Sequence, residues 1–161
     1  MRLTTALTML SFAALLGGCA GPRSLVVGQS TEADVRSRMG APTDTRTEGG
    51  DKLWEYATGP EGMTTHLVRI GADGRVKEVS ELLTEENLAK VIPGRTTRAE
   101  VRNILGRPAD ETTFGNGLTW SWRFKRLGIS AAYMVVRFGP DGTVAEKIVI
   151  VDPSGDASRD S

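Results

Sequence analysis

The stretch "GRTTRAEVRNILGRP", Gly94–Pro108, has a near copy 66 residues earlier in "GQSTEADVRSRMGAP", Gly28–Pro42. The two stretches align without a gap and share these residue pairs: Gly28/Gly94, Thr31/Thr97, Ala33/Ala99, Val35/Val101, Arg36/Arg102, Gly40/Gly106 and Pro42/Pro108. Further along, "VRIGADGRV" at 68–76 matches "VRFGPDGTV" at 136–144 with an offset of 68. Similarity at a fixed spacing predicts an internal repeat that spans most of the chain.

Each copy carries the start and stop signals of a short helix. Thr97 can accept a hydrogen bond from the amide of Glu100, whose side chain can reach back to the Thr97 amide, which is a capping box. Val101 and Leu105 are four residues apart and share one helix face. Gly106 favours the positive φ that closes many helices, and the proline two positions later prevents the helix from resuming. The first copy has the corresponding residues Thr31, Asp34, Val35, Met39, Gly40 and Pro42.

Strands are predicted after each helix. The segment "LTWSWRFK" at 118–125 alternates large apolar with polar residues, which is typical of a half-buried strand, and "KLWEYA" at 52–57 is its shorter counterpart. Asp-Gly pairs at 73–74 and 141–142 predict tight hairpins. We therefore expect an α+β fold of two tandem units, each a helix plus a three-stranded antiparallel sheet, with the helices packed on one face of the sheet.

The N-terminus, "MRLTTALTMLSFAALLGGCAGPRS", predicts a lipid anchor. Arg2 precedes an apolar stretch at 3–16 that is too short to span a membrane and has the size of a secretory signal core. Small residues then directly precede Cys19, the single cysteine, in a pattern that resembles the lipobox of bacterial lipoproteins. An ordinary signal peptide and a buried thiol are the alternatives. Several acyl chains on Cys19 would make a lasting anchor, since one chain binds only marginally.

These signals divide the chain into a signal peptide, a lipidated tether, two repeat units and a flexible tail. Between the units, "LLTEENLAKVIPG" predicts a short helix that begins after Thr84 and ends at Pro93–Gly94. Cleavage before Cys19 leaves 143 residues with 19 basic and 20 acidic side chains, so nucleic acid is not expected as a partner. The predicted segments are 1–18, 19–27, 28–83, 84–151 with the short helix included, and 152–161.

The sequence contains no recognisable catalytic constellation, so we expect a protein that is not an enzyme. His66, the single histidine, falls in a predicted strand, where a structural role is favoured over a catalytic one. One histidine and one predicted lipidated cysteine do not supply a metal site. The glycines lie at helix ends and hairpins rather than in a phosphate-binding loop, and no cofactor is predicted.

Charge and aromatic residues indicate possible binding surfaces. Residues 28–93 carry eight basic and twelve acidic side chains, a net charge of −4, whereas residues 94–151 carry nine and five, a net charge of +4. The two units could complement each other or be merely solvated; alternatively, Arg123, Lys125 and Arg126 meet anionic lipid or an acidic partner. An aromatic ladder is expected to pack under the helix, with an exposed binding patch as the alternative: Trp120, Trp122 and Phe124.

The segment 83–108 resembles the helical signature of the BamE (SmpA/OmlA) lipoproteins. Their pattern is matched by Gly94, Thr96, Val101, Leu105, Gly106 and Pro108, and their aromatic strand by Trp120 and Trp122. The first unit matches more loosely, with Ser30 and Met39 in place of the threonine and leucine.

The resemblance implies a non-catalytic subunit of the machinery that inserts β-barrel proteins into the outer membrane. Such proteins bind partner subunits and anionic phospholipid headgroups. Ala20 follows the cysteine where an aspartate would indicate retention in the inner membrane, so the outer membrane, periplasmic face, is implied. Family members usually carry one unit, and the tandem arrangement is similar to that of the β-lactamase inhibitory proteins. The rival expectation is a binding or inhibitor lipoprotein that clamps a different envelope target.

Overall fold

A computed structural model describes residues 22–58, 63–115, 117–128 and 130–152. The predicted signal peptide at 1–18, the lipidation site Cys19 and all but the first residue of the predicted tail lie outside the described residues. No helix in the described part of the chain is long and apolar enough to cross a membrane.

Short helices alternate with antiparallel strands. The strand order is β1-β2-β3-β4 in the N-terminal sheet and β5-β6-β7-β8 in the C-terminal sheet. The elements are a 3₁₀ turn Pro22–Ser24, α1 Glu32–Met39, β1 Asp44–Glu48, β2 Asp51–Thr58, β3 Thr64–Ile70, β4 Val76–Glu81, α2 Glu85–Ala89, α3 Arg98–Leu105, β5 Asp110–Phe114, β6 Gly117–Arg126, β7 Ser130–Phe138 and β8 Val144–Val151.

The expectation of an α+β fold with two helix-plus-three-strand units is wrong. The described chain is mostly β, with two four-stranded antiparallel sheets and only small helices. The two strands that the sequence analysis missed are β1, "DTRTE", and β5, "DETTF", each of which comes directly after a helix. Both lie at a sheet edge, where a strand need not bury an apolar face. Hydrophobic periodicity therefore gives no signal for them.

The two halves of the chain share backbone contacts at corresponding positions. The Gly28 N–H donates to the Val76 carbonyl at 2.8 Å, and the Gly94 N–H donates to the Val144 carbonyl at the same distance. A register shift also interrupts the pairing of the third and fourth strands near the same point of each sheet. In both halves, the loop that leads into the helix is thus attached to the start of the last strand.

The predicted caps at the helix starts are confirmed, but α2 ends at Ala89 rather than at the predicted Pro93–Gly94. Thr31 and Thr97 each cap a helix in a complete capping box, and Thr84 caps α2. Gly40 and Gly106 have φ values of 79° and 76°, as expected, but their ψ values of −153° and −167° lie outside the left-handed helical region. This conformation is almost restricted to glycine, so the requirement for glycine is stricter than the sequence analysis expected.

The helix faces predicted from spacing are buried. Val101 and Leu105 of α3 contribute to the C-terminal core, whereas Val35 is buried and Met39 only partly buried in the N-terminal core. The aromatic ladder lies in the C-terminal core: Trp120, Trp122 and Phe124 are all buried. This confirms the expected packing and excludes the alternative of an exposed aromatic patch. The Trp122 indole N–H donates to the Gly106 carbonyl at 3.3 Å and so ties the ladder to the end of α3.

On the face of the N-terminal sheet that points away from α1, Glu55 is contacted by Arg102 and Arg107 of the C-terminal half. Leu53 and Leu67 on that face form a small apolar cluster with Leu82, which lies just after β4. Burial of these three side chains removes apolar surface from water on this face of the N-terminal sheet. The charged groups described next lie beside this cluster.

Candidate functional site

An ion cluster joins the two halves. Glu55 on β2 is 1% exposed and accepts hydrogen bonds from Arg46 on β1 and from Arg102 on α3, the latter at 2.5 Å. The backbone N–H of Arg107 donates to the second carboxylate oxygen at 2.8 Å. Arg102 also pairs with Asp44. A carboxylate buried between the sheets is therefore surrounded by donors from both halves.

The cluster follows from the alternation of β2. Trp54 and Tyr56 point into the N-terminal core, so Glu55 between them points to the opposite face, towards the C-terminal half. A buried carboxylate is tolerated when charged partners and hydrogen bonds compensate for lost hydration. Burial lowers the pKa of the Arg46 and Arg102 guanidinium groups, and the Asp44 carboxylate opposes the shift at Arg102. Both guanidinium groups remain charged.

The two halves lie close together at Gly106. A Cβ atom at this position would lie 2.9 Å from Cδ1 of Leu82 and 3.0 Å from Oε2 of Glu55. At the corresponding Gly40, a Cβ atom would meet nothing within 4 Å. Glycine is thus required at position 106 both for the backbone conformation that ends α3 and for the close contact between the halves, whereas at position 40 it is required for the backbone conformation that ends α1.

A groove of about 200 Å³ lies beside the ion cluster and is lined from both halves. Glu55 and Thr65 form its N-terminal side, and Trp122 and Arg123 form part of its C-terminal side. The groove contains one carboxylate already bound by three donors, and this arrangement supplies no free acid or base.

The three predicted cations do not act as one group. Arg123 has 16% of its side chain exposed, pairs with Asp152 at 3.1 Å and lies over the Tyr133 ring at 5.4 Å. Lys125 and Arg126 are exposed at the end of β6. Leu127 follows them with 75% of its surface exposed and a φ of 51°. We call Lys125, Arg126 and Leu127 the cationic tip.

The repeat-signature residues lie where the helices meet their sheets. Gly28 and Gly94 sit in the loops that bond to β4 and β8, and the remaining members occupy the caps, buried faces and ends of α1 and α3: Thr31, Val35, Gly40, Pro42, Thr97, Val101, Leu105, Gly106 and Pro108. Their placement is that of a structural framework. None belongs to the cationic tip.

His66 lies half-buried in β3, opposite Glu81 on β4. Burial lowers its pKa, while the nearby Glu81 carboxylate raises it by a smaller amount. In the part of the chain that the structure describes, no group of three His, Cys, Asp or Glu side chains is placed to hold a metal ion.

Sequence reasoning missed the ion cluster. Glu55 occupies the polar position of an alternating strand, which is the pattern of a solvated side chain, and Arg46 lies in the unrecognised β1. Arg102 is separated from Glu55 by 47 residues and looks like an ordinary charge on a short helix. No local signal distinguishes these residues, because their burial depends on how the two halves pack.

Residues 81–147, under half of the chain, match the family model described as "Outer membrane protein assembly factor BamE domain". The match begins at the end of β4 and covers α2, α3, β5 to β7 and half of β8. It supports the resemblance found in the sequence and concerns an accessory factor of outer-membrane protein assembly rather than an enzyme. The N-terminal half lies outside it.

No curated protein matches this chain. A solved structure of an extracellular protein containing an SCP domain, from Bacillus anthracis str. Ames, aligns with 94% of the chain at 8% sequence identity and a TM-score of 0.32. The chain spans 50% of that protein. A similarity at this level carries no argument about fold or function.

Proposed function

We propose that this chain is a lipoprotein of the outer membrane, anchored through Cys19 and facing the periplasm, that acts as a non-catalytic scaffold in the assembly of β-barrel proteins. The observation that carries the proposal is the match of residues 81–147 to an assembly factor domain. The lipobox-like "LGGC" before Ala20 supports the anchor. The five segments predicted from the sequence, with units at 28–83 and 84–151, are part of the proposal.

The junction between the halves supports a scaffold. Glu55 bonds to side chains of both halves, and Gly106 permits their close approach. A scaffold binds partners most effectively when its surfaces are held in a fixed relation, because little order is lost on binding. The bonds of Glu55 to Arg102 and to the backbone N–H of Arg107 hold this relation.

The cationic tip is the proposed contact for anionic phospholipid headgroups or an acidic partner subunit. Lys125 and Arg126 belong to the half with a net charge of +4, and Leu127 places an exposed apolar side chain beside them. Basic residues next to an apolar side chain suit a negatively charged membrane surface. Arg123 contributes less directly, because it is paired with Asp152.

Charge reversal tests the cationic tip. The double variant Lys125→Glu and Arg126→Glu should reduce binding to vesicles containing anionic phospholipid, or to the acidic partner, while the melting temperature stays close to that of the wild type. The matched control is Arg95→Glu with Arg98→Glu, which makes the same charge change at the opposite end of the C-terminal sheet. Equal losses in both variants would show that only net charge matters and would contradict a local site.

Site-specific photo-crosslinking in intact cells tests the scaffold function. A photoreactive residue at Lys125 or Leu127 should form crosslinks to subunits of the β-barrel assembly machinery, and a probe at the exposed Thr45 of β1 serves as the comparison. Cys19→Ala should release the protein from the membrane fraction. Continued acylation or membrane association of that variant would contradict the proposed anchor.

A second candidate is a periplasmic binding or inhibitor lipoprotein that clamps a different envelope target. The observation that favours it is the N-terminal half, which lies outside the family match yet keeps the same strand order and forms the groove with the C-terminal half. Crosslinks to a hydrolase or a cell-wall enzyme, instead of assembly subunits, would support this candidate.

A further inference from the structure

The C-terminal edge strand differs from the other three edge strands of the two sheets. Charged and hydroxyl residues dominate β1, β4 and β5, which protects an edge against pairing with other chains. In β8, residues 148–151 are "IVIV", and each is between 42% and 50% exposed. Four consecutive β-branched residues without charge form an edge that favours pairing with another strand.

The backbone groups along this edge can be assigned a direction. The Asp152 N–H donates to the Ala131 carbonyl at 2.9 Å, so residue 152 points its backbone groups to β7. Backbone groups alternate in direction along an antiparallel strand. The backbone N–H and C=O groups of Ile148 and Ile150 therefore also bond to β7, whereas the backbone groups of Lys147, Val149 and Val151 point away from β7. At the start of β8 the outward groups of Val144 bond to Gly94 and Thr96. Within the described residues, no backbone partner covers the outward groups of Val149 and Val151.

The corresponding end of the N-terminal sheet is covered. With the offset of 68, Ile150 corresponds to Leu82 and Val151 to Leu83. Leu82 packs against the N-terminal sheet and Leu83 belongs to the C-terminal core, and both are buried. Apolar residues at matching positions are therefore buried where a second sheet follows and exposed where none follows in the described chain.

We propose that this edge pairs in antiparallel orientation with β8 of a second copy of the chain, which joins two C-terminal sheets into one continuous sheet. Both faces of the edge are apolar: Val149 and Val151 lie on the face that carries α3, and Ile148 and Ile150 lie on the other. A barrel strand alternates apolar with polar residues and would place polar groups against one of these faces. The "IVIV" segment of a second copy is apolar on both faces and has the same length.

The backbone groups of β8 that point away from β7 restrict the register in which two β8 strands can pair. In a two-fold pair, outward residues must face outward residues, so the axis passes through a residue of β8. An axis at Val149 places Glu146 opposite Asp152, and like charges that face each other destabilise a sheet. An axis at Ile150 places Val149 opposite Val151 and Ile150 opposite its own copy. The second register is the one we assign.

Association of the full chain in a density-matched non-ionic detergent tests the pairing. Sedimentation equilibrium should show a reversible dimer with a dissociation constant on the order of 10 μM, since the interface is at the small end of specific interfaces. Val149→Lys should abolish the dimer, whereas Val26→Lys, a control at an equally exposed apolar residue in the N-terminal half, should retain it. A monomeric wild type at all concentrations, or a dimer of Val149→Lys as tight as the wild type, would overturn the proposal.

Disulfide formation tests the register without a loss of folding. In a Cys19→Ala background, Ile150→Cys should crosslink to its own copy, because residues facing each other in a non-hydrogen-bonded pair have Cα atoms about 4.5 Å apart. Ile148→Cys is the matched control on the same face and should crosslink much more slowly. Equal or faster crosslinking of Ile148→Cys would overturn the assigned register, and capture of a barrel-strand peptide by a monomeric wild type would overturn self-pairing.

Discussion

Helices α1 and α3 have the same length, cap and closing glycine, yet their arginines bind different groups. Arg36 of α1 lies 4.5 Å from the centre of the Trp54 ring in its own half. Arg102 occupies the corresponding position of α3 and pairs with Glu55 and Asp44 in the other half. The local sequence determines that a short capped helix forms. The neighbouring sheet determines whether its arginine covers a ring or joins two halves.

The largest expected difference between the halves is at Glu55 and its counterpart Ser121. Glu55→Ala leaves Arg46 and Arg102 without their shared carboxylate and should lower the free energy of unfolding by about 3–5 kcal/mol. Ser121→Ala should change it by less than about 1 kcal/mol. Urea unfolding followed by tryptophan fluorescence measures both. Similar effects of the two substitutions would contradict a special role for the ion cluster.

Alanine substitutions at Gly106 and Gly40 distinguish the cost of backbone strain from the cost of a steric clash between the two halves. Alanine at either position must adopt a conformation that costs about 1–3 kcal/mol. Gly106→Ala adds a Cβ atom 2.9 Å from Leu82 and should therefore be more destabilising than Gly40→Ala by about 1 kcal/mol or more. Thermal unfolding of the two variants gives the comparison. Equal losses would mean that the junction can widen freely.

Substitutions at Arg102 and Arg36 compare an arginine that links the two halves with one that stacks on a ring in its own half. Arg102→Ala removes two ion pairs at the junction and should cost about 2 kcal/mol, since Glu55 keeps its bonds to Arg46 and to the Arg107 N–H. Arg36→Ala removes a partly hydrated contact with Trp54 and should cost about 0.5–1 kcal/mol. Chemical denaturation of each variant tests this order. A larger loss for Arg36→Ala would reverse the comparison.

The capping carboxylates give the smallest expected effect, and it depends on pH. Hydrogen bonds from Thr97 lower the pKa of Glu100 below its ordinary 4.5, and bonds from Thr31 lower that of Asp34 below 3.8. A lowered carboxyl pKa stabilises the fold above the ordinary value, and this contribution is lost as the pH falls through the lowered value. The stability gap between wild type and Glu100→Gln should therefore narrow as the pH falls below 4.5.

The corresponding substitution in α1, Asp34→Asn, tests whether the first capping box has the same pH dependence as the second. The two capping boxes have the same hydrogen bonds although α1 and α3 pack differently, so both gaps should close in acid. Thermal unfolding midpoints from neutral pH down to about pH 3 measure the effect. A gap that persists at low pH for either variant would show that the carboxylate acts through packing rather than ionisation.

Several local features of this fold could be predicted from the sequence. The helix caps at Thr31, Thr84 and Thr97 and the buried ladder around Trp122 follow from spacing and residue type, which act over a few residues. The edge strands β1 and β5 could not be predicted in this way, because charged and hydroxyl residues dominate them and give no alternation of apolar with polar residues. The family resemblance came from the same short-range pattern of Gly94 to Pro108 and was supported by the match over 81–147.

The candidate site was predicted less completely. Of the three cations predicted from the sequence as a lipid or partner contact, Lys125 and Arg126 are exposed, while Arg123 is paired with Asp152. Arg123 is 29 residues from Asp152 in the sequence, and only the pairing of β6, β7 and β8 brings them together. The outcome for lipid or partner binding stays a prediction.

The sequence by itself determined where each helix begins, where α1 and α3 end and which strand face is buried, because capping and alternation depend on neighbours within a few residues. Tertiary structure alone decided that Glu55 is a buried link between two halves and that residues 148–151 form an apolar edge with 42–50% of each residue exposed. Both outcomes depend on what packs against a surface. That neighbour comes from a distant part of the chain, and burial changes the energy of a charge or an apolar group without any change in its local sequence.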